Sequence, residues 1–116
     1  MQVIPLLTSQ VVAPGTYPFS AVQVPAGTTH VHIDFDSPAP PADSVIVFTA
    51  ERSDDGVTYV AVSRLEMSGG VSRKTHTLVD VHGNLDIEVV PGQYYLSTLT
   101  VTGSPVTLSA TATLTP

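Results

Sequence analysis

Short segments rich in β-branched residues, each ended by Gly, Pro, Asn or Asp, follow one another along the whole chain. The clearest example is Ala50–Tyr59, AERSDDGVTY, in which Ser53–Gly56 lies between two segments of alternating apolar residues. Asp side chains stabilise a tight turn, and Gly56 can adopt the left-handed conformation that such a turn requires. The pattern therefore predicts a β-hairpin at this point.

The same alternation recurs in the other segments. Thr29–Asp36, THVHIDFD, alternates apolar residues with histidine and aspartate, which is typical of a strand with one face in the core and the other in solvent. No segment has the periodicity of a helix. The spacing predicts an all-β fold, an antiparallel β-sandwich of the jelly-roll or Ig-like kind with eight to nine strands. The predicted core residues are Val31, Ile33, Phe35, Ile46, Phe48, Tyr59, Ala61, Leu85, Ile87, Val89, Leu99, Val101, Val106 and Leu108.

Four further segments have distinct signals. Val45–Arg52 is almost continuously apolar and predicts a central strand buried on both faces. Val71–Val79 predicts another strand, and Asp80–Asn84, DVHGN, predicts a turn. Ser37–Ser44, SPAPPADS, contains three prolines, which cannot donate to a ladder and predict a stiff extended connector. Such a connector suits a crossover between sheets or an arm that lies on a neighbour.

A chain of 116 residues is expected to form one domain, residues 1–116, with residues 1–13 as an N-terminal arm or an edge strand. The first residues are apolar but have no basic beginning, and Pro5 interrupts them, so we expect no signal peptide. No run reaches the ~18 apolar residues that a membrane span needs. We therefore expect no membrane partner.

Charge and cysteine content narrow the function classes. The chain has no cysteine, which excludes disulfides and thiolate metal sites and favours assembly in a cytoplasm. The formal net charge is −6, and Arg73 and Lys74 are the only adjacent cations. Because a phosphate-binding surface needs clustered cations, no nucleic acid partner is expected. Charged residues make up only 12% of the chain, and Thr and Ser in their place are common in proteins that pack against copies of themselves.

The first candidate site is His30–Asp36, where His30 and His32 share one face of the predicted strand with two aspartates. Neighbouring side chains on that face lie roughly 6.5–7 Å apart, and a His-x-His pair on a strand can bind zinc or copper. A third ligand would have to come from another strand, from His76 or His82. The alternatives are a solvated polar face, which we favour, and histidines that pair with acids across a subunit interface and make assembly pH-sensitive.

The acidic residues offer two further patterns. Ser53–Gly56 has adjacent carboxylates but lacks the alternating ligands and the distal Glu of an EF-hand calcium loop. The pairs Asp34/Asp36 and Asp86/Glu88 supply the two carboxylates that a glycosidase needs. Both pairs lie on strands whose other face is apolar, which predicts exposure, and an exposed carboxylate is a poor general acid at neutral pH. We interpret these residues as a turn and as solvated faces.

No nucleophile elbow, Walker loop or dinucleotide-binding fingerprint is present. We therefore expect no enzyme activity, no catalytic, cofactor-binding or metal-binding residues and no cofactor. Tyr59, Tyr94 and Tyr95 could form a platform for sugar stacking, but the chain has no Trp. Because Tyr94 and Tyr95 are adjacent on a strand, they point to opposite faces. The core or an interface is the expected place for these rings.

Three segments, taken in order, resemble a type of small β-sandwich protein encoded in the structural gene clusters of tailed bacteriophages: VPAGTTHVHIDFD, VIVFTAERSDDGVTYVAVSR and QYYLSTLTVTGSPVTLSATATL. The shared features are a V-P-A-G-T turn into an alternating strand, an E-R-S-x-D-G-x-T-(W/Y) hairpin, and a late Y-x-L-x-x-T-V-x-G strand and turn. The resemblance spans Val24 to Leu114, and Tyr59 stands where the type usually has Trp. It implies a scaffold and supplies no site residue.

The resemblance implies a virion structural protein, and the best-fitting role is capsid decoration, or cement, in which the protein binds the outer shell. It implies a location in the virion after assembly in the host cytoplasm, with the major capsid protein or another virion protein as partner. We predict a homotrimer, because three-fold sites are natural positions on an icosahedral shell. The alternative is a carbohydrate-binding or adhesion module of a phage tail or cell surface, which would need aromatic or acidic side chains clustered at one end of the sandwich.

Overall fold

Two antiparallel sheets face each other in the computed structural model, which describes residues 2–72 and 74–116. Met1, and Arg73 of the predicted cation pair, lie outside the described residues. In the described part of the chain, no helix is long and apolar enough to cross a membrane. The strands in these residues confirm the predicted all-β sandwich: β1 (Gln2–Val12), β2 (Gly15–Pro18), β3 (Val22–Gln23), β4 (His30–Ser37), β5 (Val45–Ser53), β6 (Val60–Ser68), β7 (Val81–Glu88), β8 (Tyr94–Thr102) and β9 (Val106–Thr115).

The strand order identifies the kind of sandwich. One sheet has the order β1-β9-β4-β7, and the other has the order β2-β8-β5-β6. β3 also pairs with β8 and continues the line of β2 after a short break. Among these pairs, only β5 and β6 are neighbours in both sequence and sheet, because every other connection except that from β2 to β3 crosses between the sheets. This order is that of a jelly roll and differs from the ABED and CFG sheets of an immunoglobulin domain.

The core lies between the two inward faces, and the alternation within each strand decides which side chains enter it. Phe35 of β4 and Phe48 of β5 stack across the sandwich with ring centroids 4.5 Å apart. All but two of the predicted core residues are buried. The exceptions are Tyr59, which is half-buried, and Ala61, which is exposed.

A β-bulge in β6 explains the exposure of Ala61, whereas Tyr59 lies just before the strand begins. Ala50 of β5 pairs with Ser63, but the next residue, Glu51, pairs with Ala61, so Val62 is an extra residue on β6. One extra residue reverses the inward and outward alternation of everything that precedes it on the strand. Ala61, which would face the core in an unbroken strand, is therefore turned toward solvent.

The connection between β6 and β7 also differs from the prediction. Val71–Val79, predicted to be a strand, forms an isolated bridge between Val71 and Leu78 and no further ladder among its described residues. The predicted turn at Asp80–Asn84 is wrong as well, because most of it belongs to β7. The turn prediction fails because Gly83 lies within a strand, where its small size serves packing and not a turn.

Gly83 lies in the middle of β7, opposite Phe35 of β4. A Cβ atom at this position would lie 3.0 Å from Cδ2 of Leu65 and 3.4 Å from Sδ of Met67. Glycine within a strand often marks such a close approach. Its small size lets the side chains of β6 in the opposite sheet close this flank of the core.

The connector Ser37–Ser44 is a crossover between the two sheets, since it leads from β4 to β5. Pro40 is fully buried within it. Ser104, in the turn between β8 and β9, donates to the Asp43 carboxylate at 2.9 Å. At the other flank, the amide of Ala39 donates to Oδ1 of Asp80 at 2.9 Å. The proline-rich segment is thus bound to the body of the sandwich at both ends.

The N-terminal segment forms an edge strand, since β1 pairs with β9. Its register with β9 shifts between Pro5 and Leu7 and again between Leu7 and Gln10. Val12 is buried, whereas most other residues of β1 are exposed. β1 therefore closes one side of the four-stranded sheet with a loosely matched ladder.

Candidate binding surfaces

The outer face of β4 and β7 carries the histidines and carboxylates that the sequence analysis singled out. The antiparallel register sets His32 opposite Asp86, and Asp36 opposite His82. Nε2 of His32 lies 3.1 Å from Oδ1 of Asp34, and Nδ1 of His82 lies 3.8 Å from Oδ1 of Asp36. We call this surface the histidine–carboxylate face; its members are His30, His32, Asp34, Asp36, His82, Asp86 and Glu88.

The register keeps the histidines apart. His82 lies opposite Asp36, four residues along β4 from His32, which is about 13 Å at 3.3 Å per residue. His76 lies in the loop after β6, where its amide donates to the carbonyl of Ser72. Among the described residues, no three His, Asp or Glu side chains are grouped so that they could hold a metal ion. The ligand set considered from the sequence is therefore not brought together.

The acid pairs considered for glycosidase chemistry lie on this same face. Asp34, Asp36, Asp86 and Glu88 are all exposed. Their exposure agrees with the prediction of solvated faces, because a general acid at neutral pH needs an environment that disfavours its ionised form. The face can supply charge to a partner, and its carboxylates lie in the open surface of a sheet.

The turn between β5 and β6 is organised by Asp55. Its Oδ1 accepts the amides of Val57 at 2.8 Å and Thr58 at 2.9 Å, and the hydroxyl of Ser53 donates to the same oxygen at 2.9 Å. These hydrogen bonds, led by that of Thr58, lower the pKa of Asp55 from 3.8 to about 2. Gly56 completes the turn with a φ of 78°. The Asp55 carboxylate is thus engaged in hydrogen bonds within its own turn.

Next to this turn is a cleft of about 370 Å³, which we call the hairpin-end cleft. Gln93 donates from Nε2 to Oδ1 of Asp54 at 2.5 Å, which joins the β5–β6 turn to the start of β8. Arg52 points across the sandwich, where Nη1 donates to the carbonyl of Glu88 at 3.2 Å. Sequence reasoning missed Gln93 because 39 residues separate it from Asp54. The cleft brings cationic, anionic and amide groups to one end of the molecule.

Tyr94 and Tyr95 point to opposite faces of the sheet, as their adjacent positions on a strand predict. Tyr95 points into the core, where it is 2% exposed and burial raises its pKa. Tyr94 points outward, and a Cβ atom added to Gly56 would lie 3.3 Å from its ring. Tyr59 is half-buried just before β6. No two of these three rings form a ring–ring contact in the described structure, so they make no shared stacking platform.

A different surface covers the outside of the five-stranded sheet. β5 was predicted to be buried on both faces, but its outward residues Val45, Val47 and Thr49 are only half-buried. Thr100 lies beside Val47, and Thr98 lies beside Thr49. Neighbouring strands thus hold short side chains side by side, and β6 places Arg64 opposite Thr49 and Glu66 opposite Val47. We call it the Val/Thr face; its members are Val45, Val47, Thr49, Leu96, Thr98 and Thr100.

An apolar groove runs along the opposite flank, between β1 of one sheet and β2–β3 of the other. Ile4, Leu6 and Val22 line one part of it, with a volume of about 230 Å³. Leu7 and Phe19 line the adjoining part, with a volume of about 390 Å³. Sequence reasoning missed this groove, since its walls come from strands that belong to different sheets. Leu6 and Leu7 both line it although they are adjacent, because the register of β1 shifts between Pro5 and Leu7, so alternation does not show which residues face the groove.

No family model and no curated protein matches the chain by sequence. Among solved structures, tripeptidyl peptidase 2 is similar over 97% of this chain and 10% of its own, with 13% identity and a TM-score of 0.57. Infectious bursal disease virus, Gx strain, is similar over 96% of this chain and 30% of its own, with 9% identity and a TM-score of 0.51.

A third structure of this kind is the isomalto-dextranase of Arthrobacter globiformis T6 complexed with panose. It is similar over 84% of this chain and 16% of its own, with 15% identity and a TM-score of 0.50. The chain therefore spans less than a third of the length of each of these three proteins. At such low identity, the likenesses show a shared β-sandwich fold and nothing about activity.

Proposed function

We propose that this chain is a structural protein of a virus particle and stabilises the capsid by binding its outer surface. The observation that carries the proposal is the Val/Thr face. Val47 and Thr49 lie in the middle of an open sheet surface, with Glu66 and Arg64 of β6 beside them, and such a surface suits contact with another protein better than enclosure of a small molecule. The role is structural, and no catalytic step is part of it.

Two further observations support this proposal. The turn and strand patterns between Val24 and Leu114 resemble those of small β-sandwich proteins from tailed bacteriophages. The fold is similar over 96% of the chain to part of the structure of infectious bursal disease virus. That likeness is one of fold alone, and it makes the virion role compatible with this architecture.

The proposed partners are other copies of the chain and the major capsid protein or another virion protein. A homotrimer would fit the three-fold positions of an icosahedral shell. The proposed location is the virion, after assembly in the host cytoplasm. A decoration protein of this kind needs no cofactor, because it acts by burying protein surface.

Sedimentation with capsids that lack this protein tests the proposal. We expect the wild-type chain to sediment with the capsids, and Val47→Glu to bind at least about tenfold more weakly, because a charge would be buried in an apolar contact. Val3→Glu is the matched control, since Val3 is 57% exposed on the other sheet. Absence of wild-type binding would contradict the capsid role, and equal binding by Val47→Glu would contradict the role of the Val/Thr face.

The hairpin-end cleft favours a second candidate, a carbohydrate-binding module. Its polar groups, from Arg52, Asp54 and Gln93, converge in a concave space of about 370 Å³, which lies within the size range of small-ligand sites. A glycan array tests this function, with Gln93→Ala expected to remove any sugar that binds in the cleft. Sugar binding that Gln93→Ala leaves intact would contradict this site, and an array without any bound sugar would contradict the function.

A further inference from the structure

We propose that the outer edge of β6 pairs with the same edge of a second copy of this chain, in an antiparallel register centred on Leu65. The inference concerns self-association through one strand. It goes beyond the proposed function, because neither the capsid nor the Val/Thr face takes part in the argument. It commits to one partner, a second copy, and to one pairing register.

The edge of β6 is open to a new strand. β6 is the last strand of the five-stranded sheet, and in the part of the chain that the structure describes it pairs with β5 alone. Such an edge presents a row of backbone N–H and C=O groups that another strand can pair with. Val60 and Val62 on this strand are 65% and 39% exposed, so apolar side chains adjoin the open edge. The strand therefore has both the backbone groups and the apolar surface that β-pairing uses.

The charges of β6 are self-complementary about its centre. Arg64 and Glu66 are both exposed on the outward face, with Nη2 of Arg64 2.8 Å from Oε2 of Glu66. In an antiparallel pair centred on Leu65, Arg64 lies opposite Glu66 of the second copy, and Glu66 lies opposite its Arg64. Directly opposite side chains on one face have Cβ atoms about 4.5–5.5 Å apart. The four charges would then alternate in sign around a two-fold axis.

The same charges disfavour the neighbouring registers. A pair centred on Arg64 sets that arginine against its own copy, and a pair centred on Glu66 sets two carboxylates against each other. Like charges directly opposite are destabilising. A slip of one residue would place the inward-facing Leu65 opposite an outward-facing residue, which the pleat does not allow. Only the register centred on Leu65 pairs unlike charges on one face.

The other edges of the two sheets lack this property. β7 carries Asp86 and Glu88 on its outward face together with His82 but neither Lys nor Arg, so copies with a neutral His82 would repel one another. β1 contains Pro5, which has no N–H to donate, and its register is irregular. β2 is only four residues long. Pairing through β6 would join two five-stranded sheets edge to edge, as an isologous contact with two-fold symmetry.

Charge reversal with light scattering tests the proposal on the intact chain without capsids. We expect the wild type to form an even assembly, a dimer or a pair of trimers. Arg64→Glu and Glu66→Arg should each raise the dissociation constant about tenfold or more, because each sets two like-charged pairs opposite each other. The double variant with both changes should restore the wild-type assembly, since it exchanges the two signs.

The two single variants control for net charge, because one makes the chain more negative by two charges and the other less negative by two. Thermal unfolding checks that each variant is folded. A wild type that stays monomeric at high concentration, or forms only a trimer, would overturn the proposal. So would a double variant that fails to reassemble while both single variants remain folded.

A cysteine cross-link tests the register itself. The chain has no cysteine, so one introduced thiol can react only with its own copy. In the proposed register residue 65 faces residue 65 at a Cα–Cα distance of about 4.5–5.5 Å, within the range of a disulfide. Leu65→Cys should therefore give a covalent dimer under mild oxidation. Ser68→Cys is the matched control, because its two copies would lie about 20 Å apart; equal cross-linking of the two variants would overturn the register.

Discussion

Asp55 shows how one carboxylate can define a turn at the scale of a residue. A single oxygen accepts three hydrogen bonds from residues within three positions along the chain. Local bonds of this kind are visible in sequence, because Ser-Asp-Asp-Gly between two apolar segments is a recognised turn pattern. The ionised form of Asp55 is the form that accepts them, so the turn should respond to acid.

We expect Asp55 to make the protein less stable in acid. Its pKa is lowered from 3.8 to about 2 by its hydrogen bonds, so the stabilisation is fully present above pH 3.8 and is lost as the pH falls toward 2. Carboxyl chemical shifts from NMR should show a midpoint near pH 2 for this residue. In Asp55→Asn, the fall in stability between these pH values should be smaller; an equal fall would show that other groups cause it.

The stacked pair of phenylalanines predicts the cost of a core truncation. Phe35 is 3% exposed and stacks on Phe48, so Phe35→Ala should lower the free energy of unfolding by about 3–5 kcal/mol. Phe19 provides a matched control, because its ring is only half-buried at 6.4 Å from Phe48, and Phe19→Ala should cost about 1–2 kcal/mol. Urea unfolding measures both; equal losses would contradict the central position of Phe35.

At the scale of an element, two turns whose glycines have nearly the same φ differ in what surrounds them. Gly27 has a φ of 85° and open space where a side chain would be. Gly103 has a φ of 84°, but a Cβ atom there would lie 2.1 Å from the carbonyl oxygen of Asp43. The β8–β9 turn is therefore packed against the crossover that joins the sheets.

This pair separates the cost of backbone strain from the cost of a clash. Gly27→Ala should destabilise by about 1–2 kcal/mol, the cost of a left-handed conformation for a residue with a Cβ atom. Gly103→Ala bears the same cost and must also displace the backbone near Asp43, so its loss should be clearly larger. Thermal unfolding of the two variants decides the matter, and similar losses would contradict the tight packing of the crossover.

At the scale of the whole molecule, the sandwich depends on pairing between the two ends of the chain. β1 pairs with β9, and β9 lies between β1 and β4. Such non-local pairing makes folding slow and cooperative, because distant segments must meet before either is stable. The first strand is therefore expected to be required for the fold.

We expect a chain that lacks residues 1–13 to lose cooperative unfolding. The deletion would open one edge of β9 and expose core residues such as Leu108 and Leu114, which are almost fully buried. A chain that lacks only residues 1–3 is the control, because Gln2 and Val3 are exposed. Urea unfolding followed by circular dichroism compares them; a sharp transition after the longer deletion would show that β1 is a dispensable arm.

In the candidate surfaces too, contacts between residues close in sequence could be predicted and contacts between distant residues could not. The sharing of one face by His32 and Asp34 follows from strand alternation and is confirmed by the structure. The contact of Gln93 with Asp54 is distant in sequence and could not be derived. The sequence also could not show that β6 has an open edge, because the residue pattern of a strand is the same at the edge and in the middle of a sheet.

Regular alternation along the chain is enough to predict strands such as β4, β8 and β9, and therefore the all-β class and most of the core. A period of two is a local property of the chain, so it can be read without knowing what each strand pairs with. The strand order, the bulge at Val62 and the packing role of Gly83 become visible only in the folded chain. These features depend on how distant strands fit together to fill one core, and no short segment contains that information.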